Sequence, residues 1–277
     1  MPEDLSIRFA PVIRQLSLAA IGHSPLPADL LIDRKGDFEI YYAPFDHVNA
    51  NTRVVLVGIA PGYQQMRTAI LEFRRQLNLS MELPVALAAA KKTASLSGAM
   101  RRNLSDLLDY FQIHTLLGIS SCSSLFDADI HQVHFTSLLR YPTFHCGCNY
   151  SGSPGIAGNT FLQSYLLEYF AAEAATLSTA IFVPLGSTVS QTLRHLSERG
   201  ILDPNRVLDG LEHPSPGNSE RIAYMLDRKP LAALSVKTNA ARIDEAKDSL
   251  RQKVARLLAA DRKQWNPAVP ASGRPAD

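Results

Sequence analysis

The chain alternates short unbroken apolar runs with longer stretches in which apolar residues recur every three or four positions. Runs of four to seven residues rich in β-branched side chains suit strands covered on both faces, and a 3.6-residue period suits helices that bury one stripe. The period predicts a first helix over 5–20, with Leu5, Phe9, Val12, Ile13, Leu16 and Leu18 inward, then a Pro-containing connection at 24–28. Phe38 to Tyr42 alternates enough for an edge or hairpin strand. Arg53 to Gly58 predicts the first core strand, followed by helices over Met66 to Leu77 and over 80–113, the latter with Leu104, Leu107, Leu108 and Phe111 on one face. Val133 to Leu139 predicts a second core strand that ends in the turn Arg140-Tyr141-Pro142. A Gly/Ser/Pro-rich loop at 144–158, a helix from about 159 to 175 and a third strand, Ala180 to Leu185, come next. The turn Gly186-Ser187-Thr188 then caps another helix, and Arg206 to Leu211 predicts a fourth strand. An apolar run, Leu231 to Val236, precedes an amphipathic helix over 240–262. The stretch 266–277 is rich in Pro, Ala and Gly and reads as a disordered tail.

Strands alternating with helices predict an α/β protein, a three-layer α/β/α sandwich around a mainly parallel central sheet. The expected organisation is one domain over 1–265: a core at about 50–225, a helix-and-strand extension at 1–49, and the helix at 240–262. No internal repeat is visible. In such sheets ligands bind outside the carboxyl ends of the strands. The residues just after Val57, Leu139, Leu185 and Leu211 should therefore converge.

Composition narrows the classes without naming one. The 277 residues are 46% hydrophobic and 19% charged, ordinary for a soluble globular chain long enough to bury a full core. A net charge of +2 does not announce a nucleic-acid binder. Yet Arg67, Arg74, Arg75, Lys91, Lys92, Arg101 and Arg102 fall in one stretch, either a solvated helix face or a DNA-facing surface. No apolar run approaches the roughly 18 residues of a membrane span. The polar start and three cysteines without a disulfide framework give the expectation of a reduced, cytoplasmic setting.

Two segments carry the chemistry. The strand Val54 to Val57 stops at Gly58-Ile59-Ala60-Pro61-Gly62, and His213 opens the rigid turn Pro214-Ser215-Pro216-Gly217-Asn218 after the fourth strand. In this order and at this separation they resemble the two active-site motifs of the uracil-DNA glycosylase superfamily, a Gly-x-x-Pro-Gly loop and a late His-Pro-Ser loop. The likeness covers roughly residues 50–225. It implies a monofunctional enzyme that flips a base out of DNA and hydrolyses its N-glycosidic bond, leaving an abasic site. His213 would then face the departing base, against the bland reading of a histidine at a helix entrance. Pro214, Ser215, Pro216, Gly217, Asn218 and Arg221 would hold the DNA backbone. Ser187 and its neighbouring amides would take a phosphate, or act as a plain N-cap.

The chain departs from that pattern at specific places. Uracil-specific branches often carry Asp, Asn or Glu in the first loop to orient water, where Ile59 and Ala60 stand here. Asp127 and Asp129 precede the second strand and should sit at the sheet's other end, which leaves Gln64 and Gln65 to position water. Ser137 falls where relatives carry a base-reading Asn, and offers one hydroxyl in place of an amide. Gly62 takes the place of a Tyr that excludes 5-substituted bases. Leu96, ahead of Gly98, takes the place of a stacking aromatic, for which Tyr63 can substitute. Gly58, Ile59, Ala60, Pro61, Gly62, Tyr63, Ser137, Asn149 and Tyr150 form the expected base pocket, although a turn-forming role also explains Asn149. An enlarged pocket implies a modified pyrimidine larger than uracil, such as a hydroxymethyl or glycosylated one, and hence defence against viral DNA. Repair of uracil or other deaminated bases is the conventional alternative.

His145-Cys146-Gly147-Cys148 invites a metal reading, but the three cysteines Cys122, Cys146 and Cys148 cannot supply the four thiolates of the superfamily's iron–sulfur branches. A zinc site borrowing His131 or His134 would lack a Cys-x-x-Cys pair, so no metal or cofactor is expected. The expected partner is DNA, single- or double-stranded, bound by a monomer. Two other classes stay open: a catalytically silent nucleic-acid-binding protein on the same fold, and a small-molecule α/β enzyme using His213 as a general acid. The second has little support, since the chain has no Gly-x-Ser-x-Gly elbow, Walker A loop or Gly-x-Gly-x-x-Gly fingerprint.

Overall fold

The computed structural model describes residues 4–17, 26–96 and 98–265. Leu18, the start of the 24–28 connection and the predicted tail lie outside them. Helix α1 (Leu5–Gln15) begins where the Asp4 carboxylate accepts the Ser6 amide at 3.0 Å. Strands β1 (Leu31–Lys35) and β2 (Phe38–Tyr41) form a hairpin, and β3 (Val54–Gly58) is the first strand of a separate sheet. Helices α2 (Tyr63–Asn78), α3 (Leu83–Ala94), α4 (Gly98–Tyr110) and α5 (Ile113–Leu117) follow. Next come β4 (Val133–Ser137), β5 (Thr143–His145) and β6 (Cys148–Asn149). Helix α6 (Thr160–Tyr165) runs through a π-helical segment (Leu166–Ala171) into α7 (Ala172–Thr176). Strand β7 (Ile181–Pro184) and helices α8 (Ser187–Glu198), α9 (Ser219–Met225) and α10 (Ala240–Trp265) complete the described residues.

The architecture is mixed α/β. Strands β4, β3 and β7 form a parallel sheet in that order, with Val57 opposite both Thr136 and Pro184. Because alternate residues of a strand face opposite sides, β3 feeds two cores. Val55 and Val57 join one apolar cluster with Phe73 of α2 and Phe9 of α1; Val54 and Leu56 join the other with Leu104 of α4 and Leu250 of α10. All four valine and leucine side chains of β3 are buried, which explains its unbroken apolar run. Beside this sheet, β1, β2, β5 and β6 make a four-stranded antiparallel sheet that packs Phe38, Ile40 and Phe144 inward.

Three sequence expectations change. The helix expected over 80–113 is divided into α3 and α4: Ser95 turns extended, and Gly98 has φ +56°, outside the helical range. The expected loop at 144–158 contains the β5–β6 hairpin. The expected strand Arg206 to Leu211 makes a single bridge, Val207 opposite Phe182, with the Leu208 amide on the Phe182 carbonyl at 2.8 Å. The next rung would need an N–H from residue 184 of β7, and Pro184 has none.

A buried ionic network ties the two cores' margins to α7. Glu173 accepts from His134 and from Arg140, both at 2.8 Å, and the Lys91 ammonium sits 3.4 Å from His134 while donating to the carbonyls of Phe45 (3.1 Å) and His47 (2.6 Å). Lys91 therefore leaves the basic stretch proposed as a DNA-facing surface. Arg75 is paired with Glu72, Arg74 donates to the Leu16 carbonyl, and Arg101 donates to the Leu96 carbonyl. Arg67, Lys92 and Arg102 remain exposed.

Candidate active site

The carboxyl ends of β3, β4 and β7 and the segment after Val207 do converge, around a cavity of ≈ 500 Å³. That volume lies within the range of small-molecule sites. Gly58, Ile59, Ala60, Ser137, Tyr150, Ser187, His213, Asn218 and Arg221 of the expected set line it. Gly58 is there for proximity: a Cβ on it would lie 3.3 Å from Ser137 Oγ on the neighbouring strand. Leu96, Met100 and Phe135 give the cavity apolar walls. A smaller recess of ≈ 40 Å³ shares Gln65, Phe135 and Ser137 with it and reaches Pro61, Lys91 and Arg140. Burial pushes the Lys91 ammonium down to about 8 despite the nearby Glu173.

His213 is held on all sides. Its Nδ1 accepts the Ser215 amide at 3.3 Å, and its carbonyl accepts from Asn218 Nδ2 at 3.0 Å. From α4, Asn103 Nδ2 donates to the Pro214 carbonyl at 2.9 Å, fastening the turn to the helix. Burial lowers the His213 pKa from its usual 6.5, so the ring is neutral at pH 7. With Nδ1 accepting, the proton of the neutral ring belongs on Nε2, a hydrogen-bond donor on a residue that lines the cavity.

Several expected site residues lie outside the cavity or are engaged within the protein. Gln64 is exposed and does not line the cavity, whereas Gln65 does. The Gln65 amide is already engaged: Oε1 accepts the Gly62 amide at 3.2 Å and Nε2 donates to the Ala94 carbonyl at 3.3 Å. Asn149 does not line the cavity; its Oδ1 accepts the Tyr63 amide at 2.9 Å and so caps α2. Gly62 and Tyr63 stand outside the cavity, and a Cβ on Gly62 would meet the Asn149 amide at 3.7 Å. The Tyr150 hydroxyl donates to the Pro154 carbonyl at 2.5 Å, and burial pushes its pKa up to about 12. Ser187 is the first residue of α8 and Gly186 its cap, so Ser187 is no N-cap. Pro214, Ser215, Pro216 and Gly217 form the turn behind His213 without lining the cavity.

No protein-family model matches the chain, and no solved structure matches it significantly. It is 31% identical over 227 residues to the uncharacterized protein YoxB of Bacillus subtilis (strain 168), across 79% of this chain and 89% of YoxB. The chain belongs to the YoxB family. YoxB is itself uncharacterized and lends this chain no activity.

Of the cavity residues that the sequence did not point to in this YoxB relative, two bear on the chemistry. Phe135 lies on β4 two residues before Ser137, on the same face by the period of two; that spacing was the available signal. Glu212 immediately precedes His213, is 7% exposed, and faces Arg221 and Arg242 of α10 at 3.6 Å each. Its only signal was position at a strand end, which a motif comparison passes over. Away from the cavity, among the described residues, the donor atoms of Asp37, His145 and Cys146 lie within 4.8 Å of one another on the β1–β2 and β5–β6 turns. Neither His131 nor His134 belongs to that group. No helix among the described residues is long and apolar enough to cross a membrane.

Proposed function

We propose that the chain is a monofunctional DNA glycosylase with a three-layer α/β/α fold of the uracil-DNA glycosylase type. One observation carries the reading: a neutral histidine with an Nε2–H donor shares a cavity with the Gly58 to Ala60 loop and Ser137 at the carboxyl ends of a parallel sheet. Breaking an N-glycosidic bond leaves negative charge on the departing base and positive charge on the sugar. A fixed, uncharged donor stabilises a base oxyanion without itself needing to give up a charge, and such preorganised donors are typically worth 10²–10³ in rate. Phe135 and Leu96 offer apolar faces to a flipped ring. Ser187 and the amides at the start of α8 suit a phosphate of the flipped nucleotide.

The preferred base is a modified pyrimidine larger than uracil. Ser137 supplies a single hydroxyl, Ala60 adds no polar group to the floor, and the recess toward Lys91 and Arg140 opens beside them. A role against modified viral DNA follows from that preference. Gly62 stands outside the cavity beside Asn149 and does not widen it. Incubating the protein with duplex and single-stranded oligonucleotides bearing varied bases, then cleaving abasic sites with alkali, tests the reading. Strand breaks at one base type support it. Specific binding with no breaks on any base favours a silent nucleic-acid-binding protein.

A further inference from the structure

A glycosylase needs a group to hold and deprotonate the attacking water, and neither Ile59 nor Ala60 can do it. Gln64 is exposed, and both ends of the Gln65 amide are engaged by backbone. Among the described residues that line the cavity, Glu212 is the one carboxylate. It is 7% exposed and adjacent in sequence to His213. Its contacts to Arg221 and Arg242, at 3.6 Å, are ionic and too long for hydrogen bonds. With no hydrogen bond to either guanidinium, the carboxylate lone pairs remain able to accept from water. Arg242 comes from α10, beyond the segment that resembles the glycosylases, so the site is completed by the C-terminal helix.

We infer that Glu212 is the water-activating base of this enzyme, moved from the first loop to the residue before the histidine. The inference rests on the glycosylase reading. The C1′–N bond breaks with its electron pair leaving on the base, where the His213 Nε2–H stabilises the anion. The water oxygen bonds to C1′ and its proton passes to Glu212. The carboxyl then returns that proton to solvent, and the base takes up its own from solvent on release.

Glu212→Gln keeps size and shape but removes the base. Single-turnover excision should fall by about 10²-fold or more, with the dissociation constant for substrate DNA unchanged. Added formate or azide should restore part of the rate to Glu212→Ala, which a merely structural glutamate would not allow. Should Glu212→Gln fail to fold, Glu212→Asp retains the charge and retracts the oxygens by one methylene; it should lose at least tenfold in rate at constant affinity. Wild-type rates in a folded Glu212→Gln or Glu212→Asp protein would overturn the role of Glu212 and leave the glycosylase reading standing. A wild-type protein that excises no base would remove both.

Discussion

A Cβ added to Gly186 would lie 3.1 Å from the Cβ of His213. Gly186 caps α8 with φ +93° and ψ 168°, a conformation closed to other residues, and this lets the His213 turn close against the helix start. Gly186→Ala is thus expected to cost about 1–3 kcal/mol in stability from backbone strain. It should reduce excision by more than that loss explains, because the displaced atom belongs to His213. Urea denaturation beside single-turnover assays separates the two effects.

His213→Ala should leave the fold and DNA affinity nearly intact and cut excision by about 10²–10³. The neutral ring is the active form, and burial holds its pKa below 6.5. Activity should therefore be flat above pH 7 and fall in acid, where protonation of Nδ1 breaks the bond from Ser215. Full turnover by folded His213→Ala would take the histidine out of the mechanism.

The network around Glu173 makes a prediction about stability. Glu173→Gln strands Arg140 and Lys91 in the interior and should cost about 3–5 kcal/mol, read from urea midpoints. Burial depresses the pKa of His134 to about 4, ahead of the opposing pull of Glu173. Between the unfolded value of 6.5 and about 4, the unfolded chain binds a proton that the folded chain refuses. Wild-type stability should fall through that window as pH drops, with a limiting slope of about 1.4 kcal/mol per unit for this histidine. The Glu173 carboxyl, held well below its usual range by Lys91, His134 and Arg140 against the opposing effect of burial, adds a further loss below about 4.5. His134→Gln should flatten the upper part of the curve.

Phosphate contacts release counterions, so DNA affinity should weaken with salt, by a slope of about 0.9 per phosphate neutralised. Arg67 and Arg102 are exposed, whereas Arg101 is held on Leu96 and over the Phe126 ring and Arg75 is paired with Glu72. Arg67→Ala and Arg102→Ala should each lower the slope in fluorescence anisotropy titrations. An affinity indifferent to ionic strength would argue against DNA as partner.

The core strands were legible because β3 and β7 are apolar runs and β4 carries Val133 and Phe135 in alternation, and the rule that ligands gather at their carboxyl ends located His213, Ser137 and the Gly58 loop together. Of the small antiparallel sheet β2 was legible, whereas β5 and β6 span only three and two residues within a turn-rich stretch. Nor could local pattern reveal that Asn149 caps α2 from 86 residues away, or that Lys91 is buried against carbonyls of the 45–47 segment. Glu212 was passed over for a similar reason: its meaning depends on Arg221 and on Arg242, which comes from a distant helix.

The most direct test is excision from matched duplexes that carry uracil, 5-hydroxymethyl or glucosylated 5-hydroxymethyl pyrimidines at one position, scored as alkali-labile abasic sites. A site that reads a base through a dedicated hydrogen-bonding group can discriminate by 10⁴–10⁵, and Ser137 does not supply the amide pair that uracil requires. The account predicts abasic product from at least one of the larger bases, in excess over uracil, abolished by His213→Ala. Efficient uracil removal with none from the larger bases would contradict the enlarged pocket, and no abasic product from any base would contradict the glycosylase assignment itself.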